Sequence, residues 1–214
     1  MALYAAPGLA ADFMFVTLTL LLEFRQGKGL VKGLPLFKRF TQTRWAAPTE
    51  ILEDILAAVD QRLPEFSELQ DCFREELMEA VHLHLVKEYI IRLSKKRVVL
   101  KSAEQQQHLA GHILNNADLI QSFCAQNGSR ATWLDPALPK LAEIIRLQDP
   151  NAIKIEVATY ASLYPDFSKG HLSAILTIKG NLSSSEARSV RSILDVSIGS
   201  HESSHPLFSL INVG

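Results

Sequence analysis

A stripe of apolar residues recurs every four positions through the stretch from Glu68 to Leu93. It consists of Leu69, Phe73, Leu77, Val81, Leu85, Tyr89 and Leu93. Only a helix places residues at this spacing on one side, because a strand alternates its faces at every second residue. In the second half, Val86, Ile90 and Ile91 make the stretch apolar nearly all round, which is typical of a helix inside a bundle. The stripe therefore predicts an all-α fold of packed antiparallel helices.

Signals for helix starts divide the rest of the chain. Ser102 with Gln105 and Ser183 with Glu186 have the spacing of a capping box, in which the two side chains satisfy each other's free backbone N–H groups. Thr49 precedes an acidic first turn, which complements the positive end of a helix dipole. These residues predict helix starts near 49, 102 and 184.

Two Asp-Pro pairs add further N-cap candidates, Asp135 before Pro136 and Asp149 before Pro150. Residues 153–159 also alternate like a strand, but their apolar positions fit a helix equally well and all their neighbours are helical, so we expect a helix. The predicted helices cover residues 34–44, 49–63, 68–93, 102–126, 136–147, 150–163, 169–179 and 184–197.

The composition is that of a folded globular protein. Among 214 residues, 47% are hydrophobic and 21% are charged, which excludes wholesale disorder. Cys72 and Cys124 are too few for a disulfide scaffold or a cysteine zinc site, and we expect both to be buried and inert in a reducing cytosol. No long linker divides the chain, so we predict an atypical apolar segment at 1–33, a helical-bundle body at 34–197 and a docked tail at 198–214.

No motif in the sequence indicates catalysis, a cofactor or a metal centre. His108 and His112 are four residues apart on a predicted helix, but no glutamate follows His108 and no third ligand is suggested, so we expect solvated or half-buried helix histidines and no metal site. His82 and His84 point about 200° apart on a helix, and we expect them at the surface with nearby carboxylates. The glycines of residues 27–33 lack the phosphate-loop spacing.

The near-neutral total charge of −1 hides a polarised chain. Residues 50–79 contain ten acids and two bases, whereas residues 25–44 contain six bases and no acid. A basic cluster follows the long helix, with no carboxylate between its members. It consists of Arg92, Lys95, Lys96, Arg97 and Lys101. The cluster fits either a solvated helix C-terminus or a docking patch for an acidic protein face or phospholipid headgroups. Nucleic acid is not expected, because aromatic residues are not interleaved with the bases.

Three long stretches, residues 76–113, 131–196 and 206–214, resemble the exocyst Sec-six-like family, and the resemblance extends over residues 36–214. It implies an elongated rod of stacked helical bundles of the vesicle-tethering type, with no catalytic site. It further implies docking of secretory vesicles at the plasma membrane, contact with SNARE proteins, exocyst subunits and a Ral-type small GTPase, and a role in membrane protrusions and tunnelling nanotubes. The N-terminal basic segment linked to phosphoinositide contact in the family is not found in this chain.

Two alternatives stay open from the sequence. An enzyme with a site assembled from dispersed residues would need a deep pocket with convergent titratable groups. A peripheral membrane-surface protein would use the apolar run of residues 13–22 with Lys28, Lys32, Lys38 and Arg39. We predict an interaction module in preference to both, and we place its partner-binding surface at the basic cluster because that cluster is the densest positive feature in the resembling region.

Overall fold

A computed structural model describes residues 49–61, 63–66, 71–95, 99–196 and 205–212. Within these residues the regular structure is helical, with no β-strand. The α-helices are α1 (Thr49–Asp60), α2 (Asp71–Lys95), α3 (Ala103–Gln126), α4 (Ala137–Arg146), α5 (Pro150–Leu163), α6 (Lys169–Ile178), α7 (Ser184–Arg191) and α8 (Ile193–Val196). Short 3₁₀-helices cover Leu63–Phe66, Thr132–Leu134 and Phe208–Leu210. The all-α prediction is confirmed, and the predicted helix at 34–44 lies outside the described residues.

The predicted caps at Ser102, Asp149 and Ser183 are confirmed. Ser102 and Ser183 each form a complete capping box at the start of α3 and α7. The Asp149 carboxylate accepts hydrogen bonds from the backbone N–H groups of Asn151 and Ala152, both at 3.2 Å, with Pro150 as the first helical residue. Such caps each contribute about 1 kcal/mol, which explains why the helix boundaries are legible from the sequence.

The predicted cap at Asp135 is wrong. Asp135 has helical backbone angles and ends the 3₁₀-helix Thr132–Leu134, with its N–H donating to the Thr132 carbonyl at 3.2 Å. Pro136 then occupies the cap position of α4, and no side chain caps that helix. A preceding helical turn therefore took Asp135 out of the extended conformation that an N-cap needs.

Helix α2 is enclosed by its neighbours. Leu77, Val81, Leu85, Tyr89 and Leu93 are all buried, as their spacing predicts. Because α2 packs against α3, α4 and α6, most of its circumference is covered.

This enclosure makes the surface prediction for His82 and His84 wrong, since both are buried. The His82 Nδ1 lies 3.1 Å from the Ser129 hydroxyl, and burial lowers the pKa of His82 to about 4. Carboxylates nearby in the sequence did not keep these imidazole rings at the surface, because the packing of α2 against several helices buries them.

Helix α3 lies at the centre of the bundle and packs against α1, α2 and α4. In the apolar layer between α2 and α3, the Asn116 amide donates to the Tyr89 hydroxyl at 3.0 Å, and both side chains are buried. Burial raises the pKa of Tyr89 to about 12. Cys124 near the end of α3 is buried as predicted, and burial raises the pKa of its thiol to about 12, which lowers the fraction of the reactive thiolate. The side chain of Cys72 lies outside the described atoms.

The described part of the tail, residues 205–212, packs onto α5 and α6. Leu207, Phe208 and Ile211 are buried, whereas Leu210 is exposed. The Phe208 ring joins an aromatic cluster under the tail. This cluster consists of Tyr160, Tyr164, Phe167, His171 and Phe208, with ring centres 4.8–6.1 Å apart.

Backbone and side-chain hydrogen bonds fix the tail to the same place. His171 Nε2 lies 2.9 Å from the Ile211 carbonyl oxygen, and the Ser209 N–H donates to the Asp166 carboxylate at 2.9 Å. The domain boundaries at residues 33 and 197 stay predictions, because the residues around them are only partly described. No described helix is both long and apolar enough to cross a membrane.

Candidate partner-binding surface

The basic cluster begins on the last turns of α2, where Arg92 is already paired. Its guanidinium contacts the Glu88 carboxylate at 3.2 Å, one turn earlier on the same helix, and the two side chains are 26% and 20% exposed. The Arg92 Nε is buried with no hydrogen-bond partner. Arg92 therefore contributes less free positive charge to the surface than the sequence count suggests.

The remaining cluster members differ in how much the structure describes of them. Lys95 ends α2 with its side chain outside the described atoms, and Lys96 and Arg97 lie outside the described residues. Lys101 is exposed and stands immediately before the Ser102 N-cap of α3. The assignment of the five residues as one partner-binding surface stays a prediction.

The backbone that leads to Lys101 is fixed to the end of α6. The Leu100 N–H donates to the Ile178 carbonyl at 2.8 Å, and the Gly180 N–H donates to the Leu100 carbonyl at 2.9 Å, forming an isolated parallel bridge. The Val99 side chain packs so closely over Gly180 that a Cβ there would overlap it. Backbone hydrogen bonds to the end of α6 therefore fix the position of residues 99–101 before α3.

Beneath this bridge lies a buried lysine that the sequence analysis missed. Lys179 is 2% exposed, and its ammonium donates to the Gln106 side-chain oxygen at 2.8 Å. Its other two acceptors are the Ile145 and Leu147 carbonyls, at 2.7 and 2.6 Å. These three acceptors are neutral, and burial lowers the pKa of Lys179 to about 8. The ammonium thereby satisfies carbonyls at the C-terminal end of α4, where the helix dipole favours a cation.

Three amide side chains extend this arrangement to the surface. Gln106 donates to the Asn181 side-chain oxygen at 2.8 Å and to the Leu100 carbonyl at 2.8 Å. Gln148 donates to Gln106 at 2.9 Å, and Asn181 donates to Gln148 at 2.8 Å. We call Lys179, Gln106, Gln148 and Asn181 the Lys179 network. It links α3, the connection after α4 and the turn after α6.

The opposite charge is concentrated on α1. Glu50, Glu53, Asp54 and Asp60 are exposed on this helix, which contains no basic residue. On α2, Glu75 is instead paired with Arg130 at 2.6 Å. The acidic part of the predicted charge polarity is therefore visible on α1, whereas the basic residues 25–44 lie outside the described part of the chain.

The described residues contain no group of three or more His, Cys, Asp or Glu side chains that could hold a metal ion. Among the perturbed titratable groups, His82 and Lys179 are buried at separate places, each with neutral hydrogen-bond partners. The pKa values of Cys124 and Tyr164 are raised mainly by burial and to a smaller extent by the charge of Asp135.

Comparison with known proteins gives the family. Residues 34–184 match the family model described as Exocyst complex component Sec6. The chain belongs to this exocyst family. The family predicted from the three resembling stretches is thereby confirmed.

Two curated relatives show how far the similarity extends. The chain is 79% identical over 180 residues to human tumor necrosis factor alpha-induced protein 2, an alignment that covers 84% of this chain and 28% of that protein. It is 26% identical over 180 residues to the human exocyst complex component 3-like protein, covering 83% of this chain and 24% of that protein.

A solved structure supports the fold. The crystal structure of M-Sec superposes with a TM-score of 0.79 at 66% sequence identity, covering 96% of this chain and 33% of that one. The chain thus spans about a third or less of the relatives that it matches. It is an exocyst-like helical module.

Proposed function

We propose that the chain is a non-enzymatic interaction module of vesicle tethering and exocytosis, acting in the cytoplasm and peripherally at the plasma membrane. The observation that carries this proposal is the match of residues 34–184 to the exocyst family. The bundle presents negative charge on helix α1 and positive charge at the exposed Lys101. Such charged surfaces fit a protein whose function is to bind other proteins.

The proposed partners are exocyst subunits, SNARE proteins and a Ral-type small GTPase, and the proposed outcome includes membrane protrusions and tunnelling nanotubes. Exocyst subunits are the partners that the family match supports most directly. For the GTPase we propose the basic cluster as the contact, because an acidic or mixed protein face would be steered towards it.

A single charge reversal tests this surface with a matched control. Lys101→Glu changes an exposed cation inside the basic cluster, whereas Arg188→Glu changes an exposed cation on α7 outside it. We expect Lys101→Glu to weaken binding of the GTP-loaded GTPase by about 3–10-fold, since reversing a rim charge acts mainly on association. Arg188→Glu should leave the affinity unchanged, as measured by biolayer interferometry at two salt concentrations.

A stronger test reverses Lys95, Lys96 and Arg97 together. If this triple variant folds normally and still captures the GTP-loaded GTPase at wild-type affinity, the basic cluster is not the contact. Binding of exocyst subunits and SNARE proteins, measured with the same variants, separates loss of one partner from loss of the module's function as a whole.

The membrane-surface alternative is tested separately by liposome flotation of the chain with and without residues 1–33. Flotation that depends on these residues would favour a membrane role through Lys28, Lys32 and the apolar run. Flotation of both chains would place membrane contact within residues 34–214, whereas flotation of neither chain would leave protein contact as the function.

A further inference from the structure

Two histidine side chains meet on the outer side of α3. His108 is exposed and His112, one turn later, is half-buried. Their ring centres lie 4.5 Å apart with the ring planes at 78°. The two imidazoles are therefore in contact before any ligand binds, so little side-chain freedom would be lost in bringing them together.

This separation matches two imidazoles on one metal ion. With a metal–nitrogen distance of about 2.0–2.1 Å, two rings bound at a right angle have centres about 4.5 Å apart, and at a tetrahedral angle about 5 Å. Right angles between neighbouring ligands are typical of square-planar or octahedral ions such as Cu²⁺ and Ni²⁺, whereas structural Zn²⁺ is tetrahedral. The observed 4.5 Å is close to both values, and the order of affinities for nitrogen sites puts Cu²⁺ first among these ions.

The surroundings of the pair also favour a cation. Helix α3 contains no lysine or arginine, and its charged residues are Glu104, one turn before His108, and Asp118. The Nδ1 atom of His112 is buried without a hydrogen-bond partner, which leaves Nε2 as the nitrogen for coordination. The absence of an acceptor behind Nδ1 limits the affinity, because metal-bound histidines are normally held by such a partner.

We propose that His108 and His112 form a surface site that chelates one divalent late-transition-metal cation of the Cu²⁺ or Ni²⁺ type. Two imidazoles leave the other coordination positions to water or to a side chain of another protein. This open two-ligand chelate departs from the sequence-based expectation of metal-free histidines, which rested on the lack of a third ligand. The proposal does not depend on the proposed function, since neither histidine belongs to the basic cluster.

The test is isothermal titration of the untagged full chain with Cu²⁺, Ni²⁺ and Zn²⁺ in a buffer that does not bind metals. We expect one strong Cu²⁺ site per chain, with Ni²⁺ bound more tightly than Zn²⁺. His108→Ala should weaken Cu²⁺ binding by about tenfold or more, because the second imidazole acts at high effective concentration. His112→Ala should have the same effect, with circular dichroism confirming that the half-buried site still folds.

His205→Ala is the matched control, since His205 is exposed and is four residues from His201 in the chain's other pair at this spacing. It should leave Cu²⁺ affinity unchanged. Absence of a Cu²⁺ site, full affinity in His108→Ala, or loss of the site in His205→Ala would each overturn the proposal. Tighter binding of Zn²⁺ than of Cu²⁺ or Ni²⁺ would also overturn the proposal, because it would contradict the expected class of ion.

Discussion

The Lys179 network and the aromatic cluster under the tail both join distant parts of the chain, but they do so by different forces. In the network, one buried ammonium and three amides exchange directional hydrogen bonds of 2.6–2.9 Å. In the aromatic cluster, five rings pack at various angles, with two tyrosine hydroxyls reaching backbone carbonyls.

The Lys179 network and the aromatic cluster differ in how strictly each requires particular side chains. The free energy of ring packing follows mainly the buried area, with a smaller contribution from the relative orientation of the rings, so a smaller apolar residue still contributes. A buried hydrogen-bonded network is satisfied or unsatisfied, because each lost donor leaves an acceptor desolvated. The tail is thus held by the burial of apolar side chains. The segment before α3 is held by hydrogen bonds in which each buried donor has an acceptor.

The largest effect is expected in the aromatic cluster. Phe208→Ala removes a fully buried ring that contacts Tyr160, Tyr164 and Phe167. We expect a loss of about 3–5 kcal/mol in the free energy of unfolding, measured by chemical denaturation. Leu210→Ala in the same 3₁₀-helix is the control, and should cost little because Leu210 is 49% exposed. Equal losses for the two would mean that the tail is not docked through Phe208.

Removing the ammonium should cost somewhat less. Lys179→Met keeps most of the volume but leaves the Ile145 and Leu147 carbonyls without this donor, while the Gln106 oxygen keeps only its hydrogen bond from Gln148. We therefore expect a loss of about 2–3 kcal/mol in the free energy of unfolding. Lys169→Met is the matched control, because Lys169 pairs with Asp195 in solvent and should contribute less than about 1 kcal/mol. A Lys179→Met chain as stable as wild type would show that the network contributes no net stability.

The pH dependence separates the two regions further. Burial lowers the pKa of Lys179 from 10.5 to about 8, so between these pH values the unfolded chain holds a proton that the folded chain has released. The stability of wild type relative to Lys179→Met should therefore rise from about pH 8 to 10.5. Cys124 and Tyr89 act in the opposite direction, since burial raises their pKa values, but they do so in both chains. A flat difference between the two denaturation series would contradict the assignment.

The smallest effect concerns the polar handles of the aromatic cluster. The Tyr160 hydroxyl donates to the Ala137 carbonyl at 3.1 Å, and the Tyr164 hydroxyl donates to the Trp133 carbonyl at 2.8 Å. Each substitution to Phe should cost about 1 kcal/mol, because the ring stays and one hydrogen bond is lost. Thermal melts of both variants would check this, and a loss as large as that of Phe208→Ala would mean that this cluster, too, depends on directional bonds.

Much of the fold was predictable because its signals are local. The stripe of α2 and the caps at Ser102, Asp149 and Ser183 involve residues within a turn or two of one another. Asp135 failed because a 3₁₀-helix precedes it, which residue type does not reveal. His82 and His84 failed because their burial depends on which helices surround α2.

The candidate site was less predictable for the same reason. The ion pair of Arg92 with Glu88 could have been predicted from their i, i+4 spacing. It was missed because the basic cluster was defined from Arg92 onward, without the residues before it. Lys179 could not be recognised, since its partners are two backbone carbonyls and an amide from elements 32 to 73 residues away. A lysine at the C-terminal end of an apolar helix is normally expected to place its ammonium in solvent, so nothing in the sequence indicated its burial.

The amide of Asn116 on the Tyr89 hydroxyl has a consequence for how the bundle assembles. A slip of α3 along α2 by one helical turn, about 5.4 Å, would leave its apolar residues well covered but would strand an amide and a hydroxyl in a dry layer. A shifted register of the two helices would thus lose free energy through these unpaired polar groups, even where apolar side chains still pack against each other. We expect the pair to favour the native register of α2 and α3 over such shifts during folding.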